Sequence, residues 1–211
     1  MGGHRMITRN LFKKKQLPFR VHIDETNAAH DFANQLLDLL PKLLKRDIVI
    51  VCIGTDRSTG DSLGPLIGSR LKESNLDFFH TYGTLENPIH AVNLEEKLAE
   101  INERHSNAFV IGIDACLGRS TSVGFISIAD GPVKPGAAVN KKLPPVGDIH
   151  ITGIVNVGGF MEYMVLQNTR LHFVIKMADK IAESILLTDK ILNKERQRSM
   201  LKSIKPSFFS S

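Results

Sequence analysis

The feature that most constrains the fold is an uninterrupted apolar run at residues 48–53, which ends in a glycine-rich loop. Every residue of this run is Ile, Val or Cys, so it lacks the polar alternation of a strand with one solvated face. Such a run is typical of a strand buried on both faces of a parallel sheet. A parallel strand needs a crossover connection, usually a helix, before its neighbour can form. We therefore expect a strand–loop–helix unit, with the loop at 54–60 and the helix at 61–71.

The same alternation of apolar runs and helical patterns continues along the rest of the chain. Further strands are predicted at 78–83, 108–114 and 123–128, and further helices at 27–40, from 93 onward and at 171–185. Residues 150–157 are either a last strand or the lead into a short apolar helix at 160–166. The helix from 93 begins with Asn93-Leu-Glu-Glu96, which resembles a capping box. Strands that alternate with helices indicate the α/β fold class, here a three-layer α/β/α sandwich around a mostly parallel sheet.

Charge divides the chain into a middle part and two basic ends. Residues 1–20 carry six Lys or Arg and no acid, and residues 190–211 carry six Lys or Arg and a single acid, Glu195. The middle part, residues 21–189, has 15 Lys or Arg against 21 Asp or Glu, although the whole chain has a net charge of +5. We predict a single domain at 21–189, flanked by a flexible basic tail at 1–20 and another at 190–211. No direct nucleic-acid site is expected beyond these tails.

Composition favours a soluble, intracellular protein. Hydrophobic residues make up 42% of the 211 residues, which is enough for one sizeable core. No apolar run approaches the roughly 18 residues of a membrane span, and no signal-peptide apolar segment follows the basic N-terminus. The two cysteines, Cys52 and Cys116, are expected to be free thiols in a reducing compartment. We therefore expect a cytoplasmic chain with no membrane partner.

The glycine-rich loop lacks the signatures of the common nucleotide and serine-hydrolase sites. It has Asp61 where a P-loop has lysine, and it has no G-x-G-x-x-G pattern. The chain also has no G-x-S-x-G elbow and no Cys/His spacing of a structural zinc site. These observations disfavour nucleotide binding, a serine nucleophile and a structural zinc finger.

Two carboxylates are predicted at one edge of the sheet. Asp61 follows the first buried strand, and Asp114 is the last residue of the strand predicted at 108–114. Ligands of open α/β sheets bind beyond the carboxyl ends of the strands, so both side chains are expected at that rim. A close pair of carboxylates can activate a water and protonate a leaving amine, or can hold a divalent metal with a histidine. Structural roles stay open as well: a helix N-cap for Asp61 and a turn after a strand for Asp114.

Three stretches in this order resemble the bacterial germination protease. Residues 59–65 match its T-x-D-x-L-G-P loop, and Ile113-Asp114-Ala115 with Arg119 matches an apolar strand that ends in I-D-A with an arginine soon after. Residues 126–142 resemble its strand followed by a P-G-x-x-V-x-N-K segment. The length of the chain and the stretch at 51–65 resemble more closely the YyaC-type sporulation proteins, which are short relatives of that protease.

The resemblance implies a fold, an activity and a location. The fold is the one shared with hydrogenase maturation peptidases, a three-layer domain with a small twisted sheet. The activity is that of an atypical acid protease whose two catalytic aspartates match Asp61 and Asp114. The germination protease cleaves small acid-soluble proteins that coat spore DNA, so the resemblance implies a sporulation-associated endopeptidase of the forespore or spore core with a protein substrate of that kind.

The hydrogenase maturation peptidases also imply a metal. They have a metal-coordinating carboxylate at the place of Asp61 and an aspartate at the place of Asp114, and then a histidine with a glycine three residues on. His150 matches that histidine through His150-Ile-Thr-Gly153, so it becomes a candidate third ligand or proton carrier. An ordinary polar residue at the start of a strand remains the alternative for His150. His80 and His90 are less well placed by sequence.

Asn140 and Lys141 are the candidate substrate-binding residues. They follow the fourth predicted strand, where they would contact substrate or a developing oxyanion, although a solvated loop is the alternative. Two other functions stay open: a catalytically weak or inactive partner-binding protein on the same fold, and a metal-dependent maturation peptidase that uses Asp61, Asp114 and His150. No cofactor other than such a divalent metal is expected. Homo-oligomerisation, a zymogen form and the roles of the two aspartates as acid and base are left undecided by the sequence.

Overall fold

The structure is a computed structural model that describes residues 17–42, 45–136 and 143–203. The strands are β1 (Phe19–His22), β2 (Ile48–Cys52), β3 (Phe79–Tyr82), β4 (Phe109–Gly118), β5 (Phe125–Asp130) and β6 (Ile149–Val157). The helices are α1 (Ala28–Leu39), α2 (Leu63–Glu73), α3 (Leu94–Arg104), α4 (Glu162–Gln167) and α5 (Leu171–Ser203). Within the described residues, none of these helices combines the length and the apolar character that crossing a membrane requires.

The six strands form one mixed sheet in the order β1-β5-β6-β4-β2-β3. The four strands from β6 to β3 pair in parallel, whereas β5 is antiparallel to β6 and β1 is antiparallel to β5. The parallel block carries the crossover helices, and the antiparallel strands close one side of the sheet. The predicted α/β fold with a mostly parallel sheet is confirmed.

The side chains of β2 explain why the domain has three layers. All five residues of the strand are buried. Ile48, Ile50 and Cys52 pack into a core that includes residues of α1, α2 and α5, whereas Val49 and Val51 pack into a second core that includes residues of α3. The strand therefore has an apolar layer on each face, as its uninterrupted sequence predicts.

Two predicted domain boundaries fall inside regular elements of the structure. Strand β1 begins at Phe19, inside the tail predicted at 1–20, and α5 continues to Ser203, inside the tail predicted at 190–211. Asp189 on α5 accepts hydrogen bonds from the backbone N–H groups of Asp77 and Phe78, which fastens the helix to the start of β3. Lys, Arg and Glu are good helix formers, so the charged stretch continues the helix on its exposed side. Residues 19–20 are therefore corrected from tail to strand, and residues 190–203 from tail to helix.

Strand β4 is longer than its sequence predicts. The prediction ended the strand at Asp114, but β4 continues to Gly118 because it pairs with β6 as far as Val157. Strand β2 stops earlier, where Cys52 pairs with Ile113. Asp114 is therefore an interior residue of β4 that lies just past the end of its neighbour β2. That position leaves room beside it for the loop that follows β2.

Candidate active site

The loop after β2 folds back tightly over the end of that strand. Gly54 has φ of +148°, and its N–H donates a hydrogen bond to the Ile89 carbonyl at 2.8 Å. The N–H of Thr55 donates to the Asp61 carbonyl at 3.1 Å, which closes the loop. A Cβ atom on Gly54 would lie 1.9 Å from that same carbonyl oxygen, so only glycine permits this approach. The loop thereby holds Asp61 above the carboxyl end of the sheet.

Neither of the structural alternatives for the two aspartates describes their positions. Asp61 lies in a 3₁₀ turn, Gly60–Ser62, and the residue that precedes α2 at the N-cap is Ser62. Asp114 is in regular strand geometry opposite Thr152 of β6, not in a turn. One oxygen of Asp114 accepts a hydrogen bond from the N–H of Ala115 at 2.9 Å. Both carboxyl groups are thus held by backbone geometry and turned toward the same rim.

Asp61 and Asp114 line one pocket of about 450 Å³ at this rim. Its walls come from the loop after β2, the segment after β3, the residues of β4 beyond Ile113, and helix α4. The polar residues at the pocket besides the two aspartates are Thr55, Arg57, Ser58, His90, Lys134, Thr152, Glu162 and Tyr163. Apolar side chains, among them Leu117, Leu143 and Leu166, complete the walls. A mixed wall of this kind is typical of a small-molecule or peptide site.

Burial favours the protonated form of both carboxyl groups, and the charge of Asp61 adds to this effect at Asp114. Loss of solvent contact raises the pKa of Asp114 to about 8, the N–H of Ala115 opposes this, and the charge of Asp61 adds to it. Burial also raises the pKa of Asp61, while the hydroxyl of Ser58 lowers it in part. Among the described residues, neither carboxylate belongs to an ion pair. Asp114, which has the large pKa shift, is therefore mainly protonated at neutral pH.

The hydroxyl of Ser58 is an unsatisfied polar group in the wall of the pocket. The residue is 5% exposed, and its Oγ makes no hydrogen bond within the described part of the chain. The hydroxyl is near enough to Asp61 to lower the pKa of that carboxyl, although it does not reach hydrogen-bond geometry. A buried hydroxyl without a hydrogen-bond partner lowers the stability of a folded protein by about 1–3 kcal/mol. A water or a ligand atom beside Asp61 would satisfy it.

The structure does not bring His150 to the two aspartates. His150 pairs with Gly112 on β4, and its Nδ1 lies 2.8 Å from the Gly131 carbonyl oxygen. It is absent from the residues that line the pocket. Within residues 17–42, 45–136 and 143–203, no three His, Cys, Asp or Glu side chains at this pocket have ligand atoms within 4.8 Å of one another. The predicted metal ligands Asp61, Asp114 and His150 therefore do not fit a three-ligand metal site in this arrangement.

His90, which the sequence placed less well than His150, lines the pocket. It belongs to the segment after β3, where Ile89 forms a parallel bridge with Ile53 at the end of β2. Asn93 shapes this segment, because its Oδ1 accepts a hydrogen bond from the His90 N–H at 2.8 Å and its amide donates to the Pro88 carbonyl at 3.0 Å. Asn93 makes no side-chain cap on α3, so the predicted capping box is wrong while the predicted helix start is confirmed.

The predicted substrate-binding residues, Asn140 and Lys141, lie outside the described residues. The nearest described residues on either side, Gly136 and Leu143, both line the pocket. Thr152 and helix α4 also line this pocket although the sequence did not indicate them, and Cys116, which lines it too, was expected mainly as a buried free thiol. The one available signal was that the segment after β3 and the strands β4 and β6 all reach the same edge of a parallel sheet.

Comparisons with known proteins place the chain in a family. Residues 20–184 match the family described as "Protein of unknown function (DUF1256)". The chain belongs to this family. It is 57% identical over 173 residues to a Bacillus subtilis (strain 168) protein named "Uncharacterized protein YyaC", and the match covers 80% of this chain and 83% of that protein. The predicted resemblance to YyaC-type proteins is thereby confirmed, and the link to a sporulation protease stays a prediction.

One solved structure with a related arrangement is that of a NiFe hydrogenase maturation protease, HycI, from Thermococcus kodakarensis KOD1. The TM-score is 0.46 at 21% sequence identity, and the match covers 71% of this chain and 97% of that chain.

Proposed function

We propose that the chain is a peptidase in which Asp61 and Asp114 hydrolyse a peptide bond together. The observation that carries the proposal is that two carboxyl groups from distant parts of the chain line one pocket, and that burial raises the pKa of both. Paired carboxyl groups with separated protonation states are the usual means by which a site runs acid and base chemistry at once. The unsatisfied hydroxyl of Ser58 beside Asp61 adds a reason to expect a bound water there.

The difference in burial suggests which aspartate has which role. Asp114, with a pKa of about 8, supplies the proton, and Asp61 acts as the ionised base. Asp61 takes a proton from a water, whose oxygen attacks the peptide carbonyl carbon. Asp114 gives its proton to the amide nitrogen as the C–N bond breaks, so the products are a carboxylic acid and an amine. Transfer of the proton from Asp61 to Asp114 then restores the starting state.

The substrate class follows from the walls of the pocket and from the motif resemblance. Apolar side chains such as Leu117 and Leu143 line the pocket together with the cations Arg57 and Lys134, which suits a peptide with acidic and apolar side chains. The loop at 59–65 resembles the corresponding loop of the germination protease, so we propose a sporulation-associated endopeptidase that acts on small acid-soluble spore proteins. No step in this mechanism passes through a metal.

A cleavage assay on extracted small spore proteins, read by mass spectrometry, tests this function. We expect Asp61→Asn to lower the cleavage rate by at least about 10³-fold, because the base that activates the water is lost. Asp130→Asn is the matched control, since Asp130 is an exposed aspartate at the end of β5. It should cleave at the wild-type rate.

The same assay separates the rival functions. Cleavage that persists in Asp61→Asn would contradict the two-aspartate mechanism. Loss of wild-type cleavage on adding a chelator, with recovery on adding a divalent ion, would favour the metal-dependent maturation peptidase. If folded wild-type protein cleaves no spore protein but retains one of them in a pull-down that Asp61→Asn abolishes, the partner-binding function would be favoured.

The cleavage rate should also follow a bell-shaped pH profile. As pH falls, Asp61 becomes protonated and the base is lost, and as pH rises through the pKa of Asp114, about 8, the acid is lost. We expect kcat/KM to fall about tenfold per pH unit on the acid side and on the alkaline side of the optimum. The two apparent pKa values of the profile describe the interacting pair of aspartates together. A rate that stays constant from about pH 5 to about pH 9 would contradict the assigned roles.

A further inference from the structure

A second group of chemically active side chains lies at the opposite end of the sheet. Asp47 immediately precedes β2, His80 is in β3, and His105 follows the end of α3. His80 pairs with Val49 near the amino end of β2, whereas the pocket lies beyond the carboxyl end of that strand. Neither the family comparison nor the proposed peptidase activity assigns a role to these three residues.

The three side chains point their donor atoms at one another. The Nδ1 of His105 lies 2.9 Å from one Asp47 oxygen, and the Nε2 of His80 lies 4.0 Å from the other. The two imidazole rings are 4.5 Å apart between centroids, and ligand atoms of all three residues lie within 4.8 Å of one another. In the described part of the chain this is the one group of three His, Cys, Asp or Glu side chains that is so close.

The side chain of Tyr82 orients His105 within this group. The hydroxyl of Tyr82 lies 2.8 Å from the Nε2 of His105, the ring nitrogen on the far side from Asp47. His105 is mostly buried, whereas Asp47 and His80 are each 53% exposed. A ligand histidine whose second nitrogen is held by a polar group is the usual arrangement at protein metal sites, because it fixes the tautomer and the ring orientation.

We propose that Asp47, His80 and His105 form a Zn²⁺ site. Bonds of about 2.0–2.1 Å in a tetrahedron place ligand atoms roughly 3.3 Å apart. The contacts of 2.9 Å and 4.0 Å to Asp47 are both close to this spacing, and the three ligand atoms already lie within 4.8 Å of one another. Two imidazoles and one carboxylate are donors that zinc takes readily, and the exposed side of the group leaves a fourth position for water. When zinc binds the Nδ1 of His105, the Nε2 of that ring carries the proton and its N–H donates a hydrogen bond to the Tyr82 oxygen. The ion ties the starts of β2 and β3 to the end of α3.

Zinc titration of the full chain by calorimetry tests this site, after dialysis against chelator and removal of that chelator. We expect saturable binding of one Zn²⁺ per chain and a thermal midpoint that rises by about 3 °C or more at saturation. His80→Ala should raise the Kd at least about tenfold and remove most of the rise, because it deletes a ligand. His30→Ala, which removes an exposed histidine on α1, should bind as the wild type does. Circular dichroism checks that both variants are folded.

Three results would overturn the proposal. One is the lack of saturable binding by the wild type, and another is an equal Kd in wild type and His80→Ala. The third is binding that Asp61→Asn abolishes while His80→Ala preserves it, because that result would put the ion in the pocket instead. Asp47→Asn gives an independent check from the oxygen ligand, and it should weaken binding to a similar degree as His80→Ala.

Discussion

Replacing Asp114 with asparagine should abolish peptide hydrolysis and at the same time make the folded chain more stable at neutral pH. Asparagine has nearly the shape of the protonated acid, and its Oδ1 can still accept the hydrogen bond from the Ala115 N–H. It cannot donate an acidic proton to a leaving amine. We expect a rate loss of at least about 10³-fold. Burial of a carboxyl group that is needed for activity destabilises the folded chain, so its removal is expected to lower activity and raise stability.

The pH dependence of the stability effect follows from the direction of the pKa shift. Asp114 has a pKa of about 8 in the folded chain against a reference value of 3.8, so the folded state binds the proton more tightly. Wild-type stability therefore falls as pH rises from about 4 to about 8, and it levels off above that. At 1.36 kcal/mol per pKa unit the upper bound at pH 7 is about 4 kcal/mol. Asp114 keeps some solvent exposure in the folded chain, so we expect less than this bound, on the order of 2 kcal/mol.

Urea unfolding at two pH values measures this effect. Asp114→Asn should exceed the wild type in free energy of unfolding at about pH 8 and should approach it near pH 4, where Asp114 is protonated in the folded state and only partly ionised in the unfolded state. Asp130→Asn, at the exposed control position, should leave both values unchanged within about 0.5 kcal/mol. If Asp114→Asn instead destabilises the chain equally at both pH values, then Asp114 has a structural role that its charge does not explain.

The parts of the fold that were predictable are those determined by local sequence. The apolar run of β2 predicts a buried strand, and the structure confirms it. A helix is likewise predicted and confirmed for α5, where Val174, Ala178 and Ile181 recur at helical spacing. The extension of β4 past Asp114 was not predictable in this way. It depends on pairing with β6, a strand more than thirty residues later, and a charged residue inside a strand looks locally like its end.

The same distinction applies to the candidate site. The expectation that Asp61 and Asp114 meet at one rim used only strand direction, which the alternation of elements determines. His150 was placed by a motif, but its position along β6 depends on register, and it lies two residues before Thr152, the partner of Asp114. His90 reaches the pocket through a segment with no secondary-structure pattern, so no periodicity in the sequence indicates it.

Gly54→Ala should strongly destabilise the folded chain. The added Cβ would lie 1.9 Å from the Asp61 carbonyl oxygen and 2.9 Å from Cδ of Pro65, and φ at this position is +148°. Backbone on one side and a rigid ring on the other cannot move aside without opening the loop. We expect a loss of about 3 kcal/mol in the free energy of unfolding, from backbone strain and steric overlap together. Gly159→Ala is the matched control, because φ there is +139° with no atom within 4 Å of the added Cβ.

The comparison of these two variants separates backbone strain from the close approach that positions Asp61. Both substitutions impose a positive φ on alanine, which costs on the order of 1 kcal/mol, so Gly159→Ala should lose about that amount. The additional loss in Gly54→Ala measures the contact with the Asp61 carbonyl, and it should come with a reduced cleavage rate in the protein that remains folded, since the base is displaced from the water. Equal losses in urea unfolding of the two variants would mean that the loop tolerates the methyl group. In that case the close contact between Gly54 and the Asp61 carbonyl would not be the interaction that positions Asp61 in the pocket.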